Sequence, residues 1–438
     1  MDKRKSPLGF MAKIMELQIG IFGLGFVGLT TSLGFAEKGF RTRGFDIDLK
    51  RRETITNGYL PFLEPGLDTV LRHYLGREFL ISQSATETAK ESDIIFFCVG
   101  TPCGKNGRAD LRYLFSALDN ILPVIQDEKP RILVIKSTVP PGTTQNEIIP
   151  HIRTKWDFDE TKLMIANNPE FLREGKCWED FINPDRIVCG VENEKTTGIL
   201  QELYNPFNAP LYFVSLNTGE FIKYLSNTLL ASLISFSNEM SIIADRVGNV
   251  DTGKAFRILH EDKRLRGSGI NAYIYPGCGF GGYCLPKDTQ AMAENARSAG
   301  FEPGILREVI KTNDGMPEFF AKKIKATAQP DTPIGILGLS FKPESDDVRE
   351  SQAAKIIKLL LADGYTNLYA YDPSSNASFD EMYRLPHVRY LSSAKAVCGA
   401  GTVLVVVTAW EEFKNLQLTF PSKTWIDCRY FIVKKGAA

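Results

Sequence analysis

The sequence feature that most constrains the fold is a glycine motif between two predicted strands near the N-terminus. Segment 17–40, LQIGIFGLGFVGLTTSLGFAEKGF, has the pattern of a short apolar strand, a glycine-rich turn and a helix. A second strand follows and ends at Asp46. Such glycines bring a pyrophosphate to a helix N-terminus, and the acidic residue binds the ribose hydroxyls. The pattern therefore predicts a doubly wound α/β domain for a dinucleotide, whose turn contains Gly23, Gly25, Phe26, Val27 and Gly28.

The same acidic residue bears on which dinucleotide is preferred. The carboxylate of Asp46 repels a 2′-phosphate, so the sequence favours NAD over NADP. Lys50, Arg51 and Arg52 follow closely, and basic residues at this place can instead accept that phosphate. NAD is thus the expected cofactor, and NADP stays open on this observation alone.

Length, charge and cysteine content limit the number of domains and the classes of partner and compartment that the chain can have. A chain of 438 residues exceeds what one hydrophobic core organises, so two or three domains are expected. A formal net charge of zero argues against nucleic acid or an anionic membrane as the main partner. The 8 cysteines include no CxxC pair and only 4 histidines occur, which fits a cytoplasmic protein without disulfides or a metal site. The basic segment 1–16 precedes no long apolar run, so we expect a disordered extension rather than a signal peptide or membrane anchor.

Hydroxyl and carboxyl side chains follow three further predicted strands. The apolar runs at 92–102 and 131–144 break at Thr101 and Thr138, which we expect to face the cofactor because ligands bind at the carboxyl ends of parallel strands. Each threonine could equally be a turn-forming hydroxyl. Glu170 and Glu174 follow the next strand, and a pair of carboxylates four residues apart is by itself more typical of a solvated surface than of a shared site.

The middle of the chain contains a predicted helix from about 217 to 247, long enough to connect domains. Lys223 and Asn227 lie on one face of it, either as a surface pair or as groups directed into a cleft. The segment 251–277 is basic and is predicted to be mostly loop. Within it, Arg264 or Arg266 is the cation best placed to meet a substrate phosphate.

A second glycine motif, PGCGFGGYCLPKD at 276–288, leads directly into a predicted helix. Cys284 is expected close to the N-terminus of that helix, where the helix dipole and Lys287 stabilise a thiolate. A single cysteine is more often a buried structural residue. The preceding glycines and the Lys287–Asp288 pair instead favour a nucleophile at a ligand site.

The last third of the chain again has an alternating strand and helix pattern, without a second complete glycine fingerprint. It predicts a second doubly wound Rossmann-like domain, joined to the first by the long central helix. Lys342, Arg349 and Arg429 fall in its loops, which indicates either a phosphorylated ligand or an ordinary charged surface.

Taken in order, the motifs GLGFVG, VGTP, KSTVPPGTT, NPEFLREG, NPDRIV, GFGGYCLPKD and FKPESDDVRES resemble the UDP-glucose and GDP-mannose dehydrogenase family over nearly the whole chain. The resemblance implies an NAD-binding Rossmann domain at 17–214, a central helical domain with the cysteine at 215–315, and a nucleotide-sugar-binding domain at 316–438. The long bridging helix suggests a homodimer formed through the central domain, and the scattered histidines offer no metal site.

The resemblance also assigns roles to individual residues. The catalytic group would be Cys284, Lys223, Asn227, Asp288, Glu174 and Thr138. The cofactor group would be the first glycine turn with Asp46, Arg51, Thr101, Thr138, Glu174, Lys287 and Arg349. The substrate group would be Glu170, Phe171, Leu172, Arg173, Glu174, Lys223, Asn227, Arg264, Tyr273, Ile274, Tyr275, Pro276, Gly277, Gly281, Lys342 and Arg429. Asp427-Cys428-Arg429-Tyr430 departs from the family's usual DGRN segment, which weakens the assignment of Arg429.

The activity that this resemblance implies is a four-electron oxidation of a nucleotide sugar at carbon 6. UDP-glucose is the first expected substrate, because the plain GFGGxC form lacks residues associated with the GDP-mannose branch. Another nucleotide sugar is the first alternative. A two-electron β-hydroxyacid dehydrogenase and a non-catalytic NAD-binding sensor are further alternatives, although neither needs the cysteine motif.

Overall fold

The computed structural model describes residues 16–104, 107–267 and 269–433. Apart from residue 16, the predicted N-terminal extension lies outside these ranges. The chain forms two compact units, one up to Leu225 and one from Ser226 onward. The finer division into three functional domains stays a prediction.

The first unit contains an eight-stranded sheet in the order β3-β2-β1-β4-β5-β6-β7-β8. All neighbouring strands are parallel except β6 and β7. The central strands are apolar along their whole length because helices cover both faces of a parallel sheet. The strands are β1 Gln18–Phe22, β2 Arg41–Phe45, β3 Phe79–Ile81, β4 Ile94–Phe97, β5 Arg131–Ile135, β6 Leu163–Asn167, β7 Ile187–Gly190 and β8 Leu211–Val214.

Two hydrophobic cores hold this sheet. One includes Leu33, Phe35 and Phe96, and the other includes Phe97, Leu118 and Ile148. Phe96 and Phe97 are neighbours on β4 and belong to different cores, as expected from the alternation of side chains along a strand. The helices of this unit are α1 Phe26–Glu37, α2 Leu49–Thr56, α3 Leu67–Tyr74, α4 Ala85–Glu91, α5 Arg112–Ile121, α6 Ile149–Lys155, α7 Cys177–Ile182 and α8 Glu194–Tyr204.

A 32-residue helix, α9 Leu216–Val247, continues from the first unit into the second, as predicted. The prediction that the following segment is mostly loop is wrong in part, because residues Thr252–Leu259 form helix α10. Asp251 caps its N-terminus by accepting a hydrogen bond from the Lys254 amide at 2.9 Å. Within the described ranges, no helix combines the length and apolar character needed to cross a membrane.

The second unit contains a five-stranded parallel sheet in the order β11-β10-β9-β12-β13. Its strands are β9 Ile334–Leu337, β10 Leu368–Tyr371, β11 Val388–Tyr390, β12 Val403–Val406 and β13 Thr424–Asp427. Its remaining helices are α11 Cys284–Ser298, α12 Gly304–Lys325, α13 Gln352–Ala362, α14 Asn376–Tyr383, α15 Ala394–Ala400 and α16 Leu416–Thr419. Both sheets extend outward from their first strand in two directions, so the predicted α/β class with two doubly wound sheets is confirmed.

Candidate functional site

The first glycine turn has the shape that a dinucleotide pyrophosphate requires. Gly23 has φ +92°, and a Cβ there would lie 2.8 Å from the carbonyl oxygen of Cys98. A Cβ on Gly25 would have no neighbour within 4 Å, so the backbone is open on that side. Phe26 begins α1 and its ring lies 4.0 Å from the ring of Phe62. The turn therefore leaves free backbone at a helix N-terminus, where an anionic ligand binds favourably.

Asp46 directly follows β2 and is almost fully buried. One carboxylate oxygen accepts a hydrogen bond from the Leu24 amide at 2.7 Å and forms an ion pair with Arg51 at 3.0 Å. The acid and the arginine predicted to hold the cofactor are thus in contact with each other, next to the glycine turn.

The two predicted threonines lie after neighbouring strands and touch each other. The Thr101 hydroxyl donates a hydrogen bond to the Thr138 carbonyl oxygen at 2.7 Å. Ser137 joins the same two segments by donating to the Val99 carbonyl oxygen at 2.7 Å. The hydroxyl of Thr101 therefore joins the segments that follow β4 and β5, and its predicted role towards the cofactor stays a prediction.

Glu170 and Lys223 form a buried ion pair, with 2.7 Å between the carboxylate and the ammonium. Burial raises the pKa of Glu170, but the Lys223 charge and its hydrogen bond outweigh burial and leave that pKa below its ordinary value. The interpretation of Glu170 as part of a solvated surface is wrong, and so is that of Lys223 as a surface lysine. The pair places opposite charges at the start of α9 and after β6.

The segment after Glu170 is held by several contacts within the first unit. The Leu172 amide donates to Glu170 at 2.6 Å, and Arg173 pairs with Asp180 at 2.6 Å. Phe171 stacks against the guanidinium of Arg186 at 4.2 Å. Glu174 is half-buried and adjoins Gly175.

In the second unit, Asn227 and Asp288 are brought together. The Asn227 amide donates to one oxygen of Asp288 at 2.6 Å, and Lys287 binds the other oxygen. Asp288 is buried, whereas Cys284 is exposed at the first residue of α11. The thiol therefore lies at a helix N-terminus, as the motif predicted, and its role as a nucleophile stays a prediction.

The glycine loop before Cys284 (residues 276–283) is held by buried amide side chains from three helices. Asn238 of α9 accepts from the Gly277 amide at 2.7 Å. Asn313 of α12 accepts from the Phe280 amide at 2.7 Å and donates to the Phe280 carbonyl oxygen at 3.2 Å. Gln352 of α13 donates to that same oxygen at 2.5 Å. These hydrogen bonds therefore hold the backbone of the loop in place.

Close backbone approach explains Gly281. A Cβ there would lie 2.4 Å from the carbonyl oxygen of Glu350, in the loop that follows β9. The neighbouring Gly282 donates its amide hydrogen bond to the Arg349 carbonyl oxygen at 2.9 Å. The glycine loop and the FKPESDDVRES loop thus run side by side within the second unit.

The segment Tyr273–Gly277 is fastened at several points. The Tyr275 hydroxyl donates to the Tyr430 carbonyl oxygen at 2.9 Å, and the Ile274 carbonyl oxygen lies 2.6 Å from His260. Arg429 packs on Gly277 so closely that a Cβ there would lie 2.6 Å from its guanidinium. Tyr273 and Pro276 lie in the same segment.

The predicted cations differ in their surroundings. Arg349 forms an ion pair with Asp347 at 2.6 Å and lies 4.5 Å from the Tyr283 ring. Lys342 lies 5.6 Å from the Phe341 ring. Arg264 is exposed and pairs with Asp262 at 2.6 Å, so no contact within its unit distinguishes it from Arg266 as a phosphate ligand. Among the described residues, no group of histidine, cysteine and carboxylate side chains is suited to hold a metal ion.

Sequence reasoning missed the buried polar residues that hold the predicted site residues. Glu64 accepts from the Gly175 and Trp178 amides at 3.0 and 3.2 Å, and Glu220 holds the loop after β5. A signal was present for Asn313, because it occupies an apolar position of α12 between Val309 and Met316. A polar residue in a buried helical stripe indicates a specific hydrogen-bond partner.

The sequence matches three family descriptions in succession. Residues 17–208 match the NAD binding domain of the UDP-glucose/GDP-mannose dehydrogenase family. Residues 217–315 match its central domain, and residues 335–434 match its UDP binding domain.

Individual proteins are similar over almost the whole chain. The UDP-glucose 6-dehydrogenase of Rickettsia bellii is 36% identical over 91% of this chain and 91% of its own length. The UDP-glucose 6-dehydrogenase TuaD of Bacillus subtilis is 34% identical over 92% of this chain and 85% of its own. Among solved structures, a UDP-glucose dehydrogenase from Pyrobaculum islandicum is 33% identical, with a TM-score of 0.86 over 95% of both chains. A UDP-D-ManNAc dehydrogenase from Pyrococcus horikoshii is 26% identical, with a TM-score of 0.83 over 96% of this chain and 97% of its own.

Proposed function

Because the chain belongs to the UDP-glucose/GDP-mannose dehydrogenase family and is an NAD-dependent dehydrogenase, we propose that it oxidises UDP-glucose to UDP-glucuronate. The reaction converts the C6 hydroxyl to a carboxylate and removes four electrons. The observation that carries the proposal is the similarity to UDP-glucose 6-dehydrogenases over 91% of the chain. The sequence contains every residue of the predicted catalytic group, namely Cys284, Lys223, Asn227, Asp288, Glu174 and Thr138.

The first glycine turn is suited to NAD. The open backbone at Gly25 leaves room for the pyrophosphate, and Asp46 follows β2 where a ribose diol is bound. When bound, NAD supplies the acceptor for the hydride that leaves carbon 6 in each of two oxidations. Arg51, Thr101, Lys287 and Arg349 are the further residues that we assign to the cofactor.

In the first oxidation, we assign proton removal from the sugar hydroxyl to a water held by Asp288 and Lys223. Cys284 then attacks the aldehyde carbon and forms a thiohemiacetal, so that the reactive aldehyde stays on the protein. The Asn227 amide and the Lys223 ammonium donate hydrogen bonds to the oxygen that becomes negative. Lys223 is suited to this role because its buried ammonium is held in place by the Glu170 carboxylate at 2.7 Å.

The second oxidation leaves the sugar as a thioester of Cys284. Hydrolysis by a water that Asp288, Glu174 and Thr138 position releases the carboxylate and restores the thiol. The residues that we assign to the nucleotide sugar are 170–174, Lys223, Asn227, 273–277, Gly281, Lys342, Arg429 and one of Arg264 and Arg266. The domain division at 17–214, 215–315 and 316–438 is part of the same proposal.

We further propose that the protein is a cytoplasmic homodimer that pairs through α9. Apolar side chains on this helix are exposed at Phe221, Leu225, Leu229, Phe236 and Ile243. Their spacing of four and seven residues places them on one helix face, and a second copy of the chain would cover it. A monomer for wild type in light scattering after size-exclusion chromatography would contradict the dimer, whereas Leu229→Asp should dissociate it.

The stoichiometry of the reaction tests the proposed function. With UDP-glucose, two NADH should form for each sugar, and no free aldehyde should accumulate. Cys284→Ala should give little net acid, and Cys284→Ser should retain covalently bound sugar because an ester is a poorer acyl donor than a thioester. One NADH per sugar, with unmodified Cys284→Ser protein by mass spectrometry, would instead indicate the two-electron dehydrogenase. Oxidation of another UDP- or GDP-sugar in preference to UDP-glucose would correct the substrate.

A further inference from the structure

Glu220 lies on α9 one turn before Lys223, with only 3% of its surface exposed. Both of its carboxylate oxygens accept hydrogen bonds from the loop that follows β5. One oxygen accepts from the Gly142 amide at 2.7 Å, and the other accepts from the Thr144 amide at 2.8 Å and the Thr144 hydroxyl at 2.5 Å. Because a buried carboxylate is costly without such donors, Glu220 has a specific partner in this loop.

The loop that Glu220 binds also contains Thr138. Thr138, Glu220 and Lys223 line one small cavity of the first unit, together with Ser137, Asn167 and Pro169. Among the residues that line this cavity, only Glu220 and Lys223 carry a charge, and the charge of Lys223 is paired with Glu170. The groups of the loop that face Glu220 are backbone amides and a threonine hydroxyl, none of which titrates near neutral pH.

The first turns of α9 are therefore fastened to two strand ends by two different side chains. Lys223 is bound to Glu170, which follows β6, and Glu220 is bound to the loop after β5. We propose that Glu220 is a positioning residue that fixes Thr138 relative to Lys223, an inference that rests on the oxidation proposed above. Small displacements of catalytic groups lower rates strongly, and about 1 Å can cost about 10²-fold.

The protonation state of Glu220 gives this role a measurable signature. Burial raises the pKa of Glu220 to about 7, even though the bonds from Thr144 and Gly142 oppose the shift. Above that pH the carboxylate accepts from both amides, whereas the protonated acid has one oxygen that no longer serves as a full acceptor. Glu220→Gln imitates the protonated acid in shape and leaves one of the two amides facing an amino group.

Kinetics of the full-length protein with UDP-glucose and NAD test the proposal. Wild type should show a kcat/KM that rises with pH through about 7, and Glu220→Gln should lack this rise. At pH 8.5, kcat of Glu220→Gln should fall about 10²-fold, and the two proteins should converge at pH 6. Glu192→Gln, an exposed position elsewhere in the first unit, should behave like wild type. Parallel pH profiles of wild type and Glu220→Gln would overturn the proposal.

Stability separates positioning from a purely structural role. A group with a pKa raised on folding stabilises the protein below its ordinary pKa and loses that contribution as pH rises through the raised value. Ionised Glu220 therefore lowers stability at pH 8.5, so Glu220→Gln should melt close to wild type despite its lost hydrogen bond. A large fall in its melting temperature, matched by a proportionate loss of active protein, would show a structural role and contradict the inference.

Amide hydrogen exchange provides a readout that does not depend on turnover. At pH 8.5, the one amide of Gly142 and Thr144 that loses its acceptor should exchange faster in Glu220→Gln than in wild type, and peptides elsewhere should be unchanged. Thr144→Val removes one donor of the same interaction, so its effect on kcat should not add to that of Glu220→Gln. If wild type oxidises no nucleotide sugar but Glu220→Gln still shows faster amide exchange, the proposed function is wrong, and the contact between Glu220 and the loop after β5 is supported. Unchanged exchange in an active enzyme would refute the positioning role itself.

Discussion

In each sheet, a glycine follows the first strand, and an aspartate after the neighbouring strand accepts a hydrogen bond from the residue next to that glycine. Gly23 follows β1 with φ +92°, and Gly338 follows β9 with φ +93°. The amide after each glycine donates to an aspartate at the end of the neighbouring strand, Leu24 to Asp46 at 2.7 Å and Leu339 to Asp372 at 2.8 Å. The two sheets thus share the backbone arrangement in which Rossmann domains bind nucleotides.

The surroundings of the two acids differ. In the first unit, α1 begins three residues after Gly23, and the backbone at Gly25 is open. In the second, the helix begins only at Gln352, after the long FKPESDDVRES loop. The Asp372 carboxylate is surrounded by further donors, namely the Ser340 amide and hydroxyl, the Ser374 amide and hydroxyl, the Ser375 amide and the Trp410 indole.

The comparison favours the predicted ligand role for Asp46, which accepts fewer internal hydrogen bonds, and it indicates that Asp372 is structural. A carboxylate whose lone pairs all accept internal hydrogen bonds has none left for a ribose hydroxyl. The same strand order and turn can therefore bind a cofactor in one domain, while in the other the acid maintains the loop. We expect the substitutions below to separate these two roles.

The largest effect is expected for Asp372→Ala. Several buried donors would lose their acceptor, and each such loss costs about 1–3 kcal/mol, so the free energy of unfolding should fall by at least about 3 kcal/mol. The KM for NAD of the protein that remains folded should not change. Urea denaturation and steady-state kinetics measure these quantities, with the exposed Asp331→Ala as control. A raised KM for NAD with unchanged stability would mean that Asp372 binds ligand.

Gly338→Ala and Gly23→Ala should both destabilise the protein, the first more strongly. A Cβ on Gly338 would lie 2.4 Å from the Cβ of Thr408, whereas one on Gly23 would lie 2.8 Å from the Cys98 carbonyl oxygen. Alanine is also strained at these positive φ angles, by about 1–2 kcal/mol. Only Gly23→Ala should weaken NAD binding in calorimetry. Equal losses of NAD affinity in both variants would show that the two turns are not functionally distinct.

Much of this comparison could be predicted from the sequence. The glycine turn, the acid after β2, the long helix and the second sheet all follow from local patterns of glycines and apolar runs. The burial of Glu170 could not be predicted in this way, because its partner Lys223 lies in a segment distant in sequence. For the same reason, the surface interpretation of Glu170 was wrong.

The residues that hold the site were harder still to predict. Glu220 and Glu64 act through bonds to the backbone of remote loops, and a backbone partner has no sequence signature. Asn313 makes bonds of the same kind, but its place in an apolar helical stripe was a signal. Helix α10 was missed because its apolar face is short and basic residues surround it. Cys284 could be proposed as a site residue from the sequence because glycines, a proline and a charged pair surround it in one local motif.

A smaller and more specific effect is expected for Asp46→Ala. Loss of a hydrogen bond to a charged group costs about 1.5–3 kcal/mol, so the KM for NAD should rise about tenfold or more. Discrimination against NADP should relax, because the charge that repels the 2′-phosphate is gone and Arg51 remains. Stability should change less than in Asp372→Ala. If the KM values for both cofactors are unchanged, Asp46 does not bind the ribose.

The smallest expected effect is a change with pH in the stability that the Asp372 carboxylate contributes to the folded protein. Burial raises the pKa of Asp372, but the hydrogen bonds from Ser340, Leu339 and Ser374 outweigh burial and leave it below its ordinary value of 3.8. A carboxylate with a lowered pKa stabilises the folded state above its unfolded pKa, and this contribution is lost as pH falls through the folded pKa. The stability difference between wild type and Asp372→Asn should therefore be constant from pH 7 to about 5 and shrink below about 4. Urea melts at each pH measure it, and a difference that stays constant down to pH 3 would show that Asp372 does not titrate on unfolding.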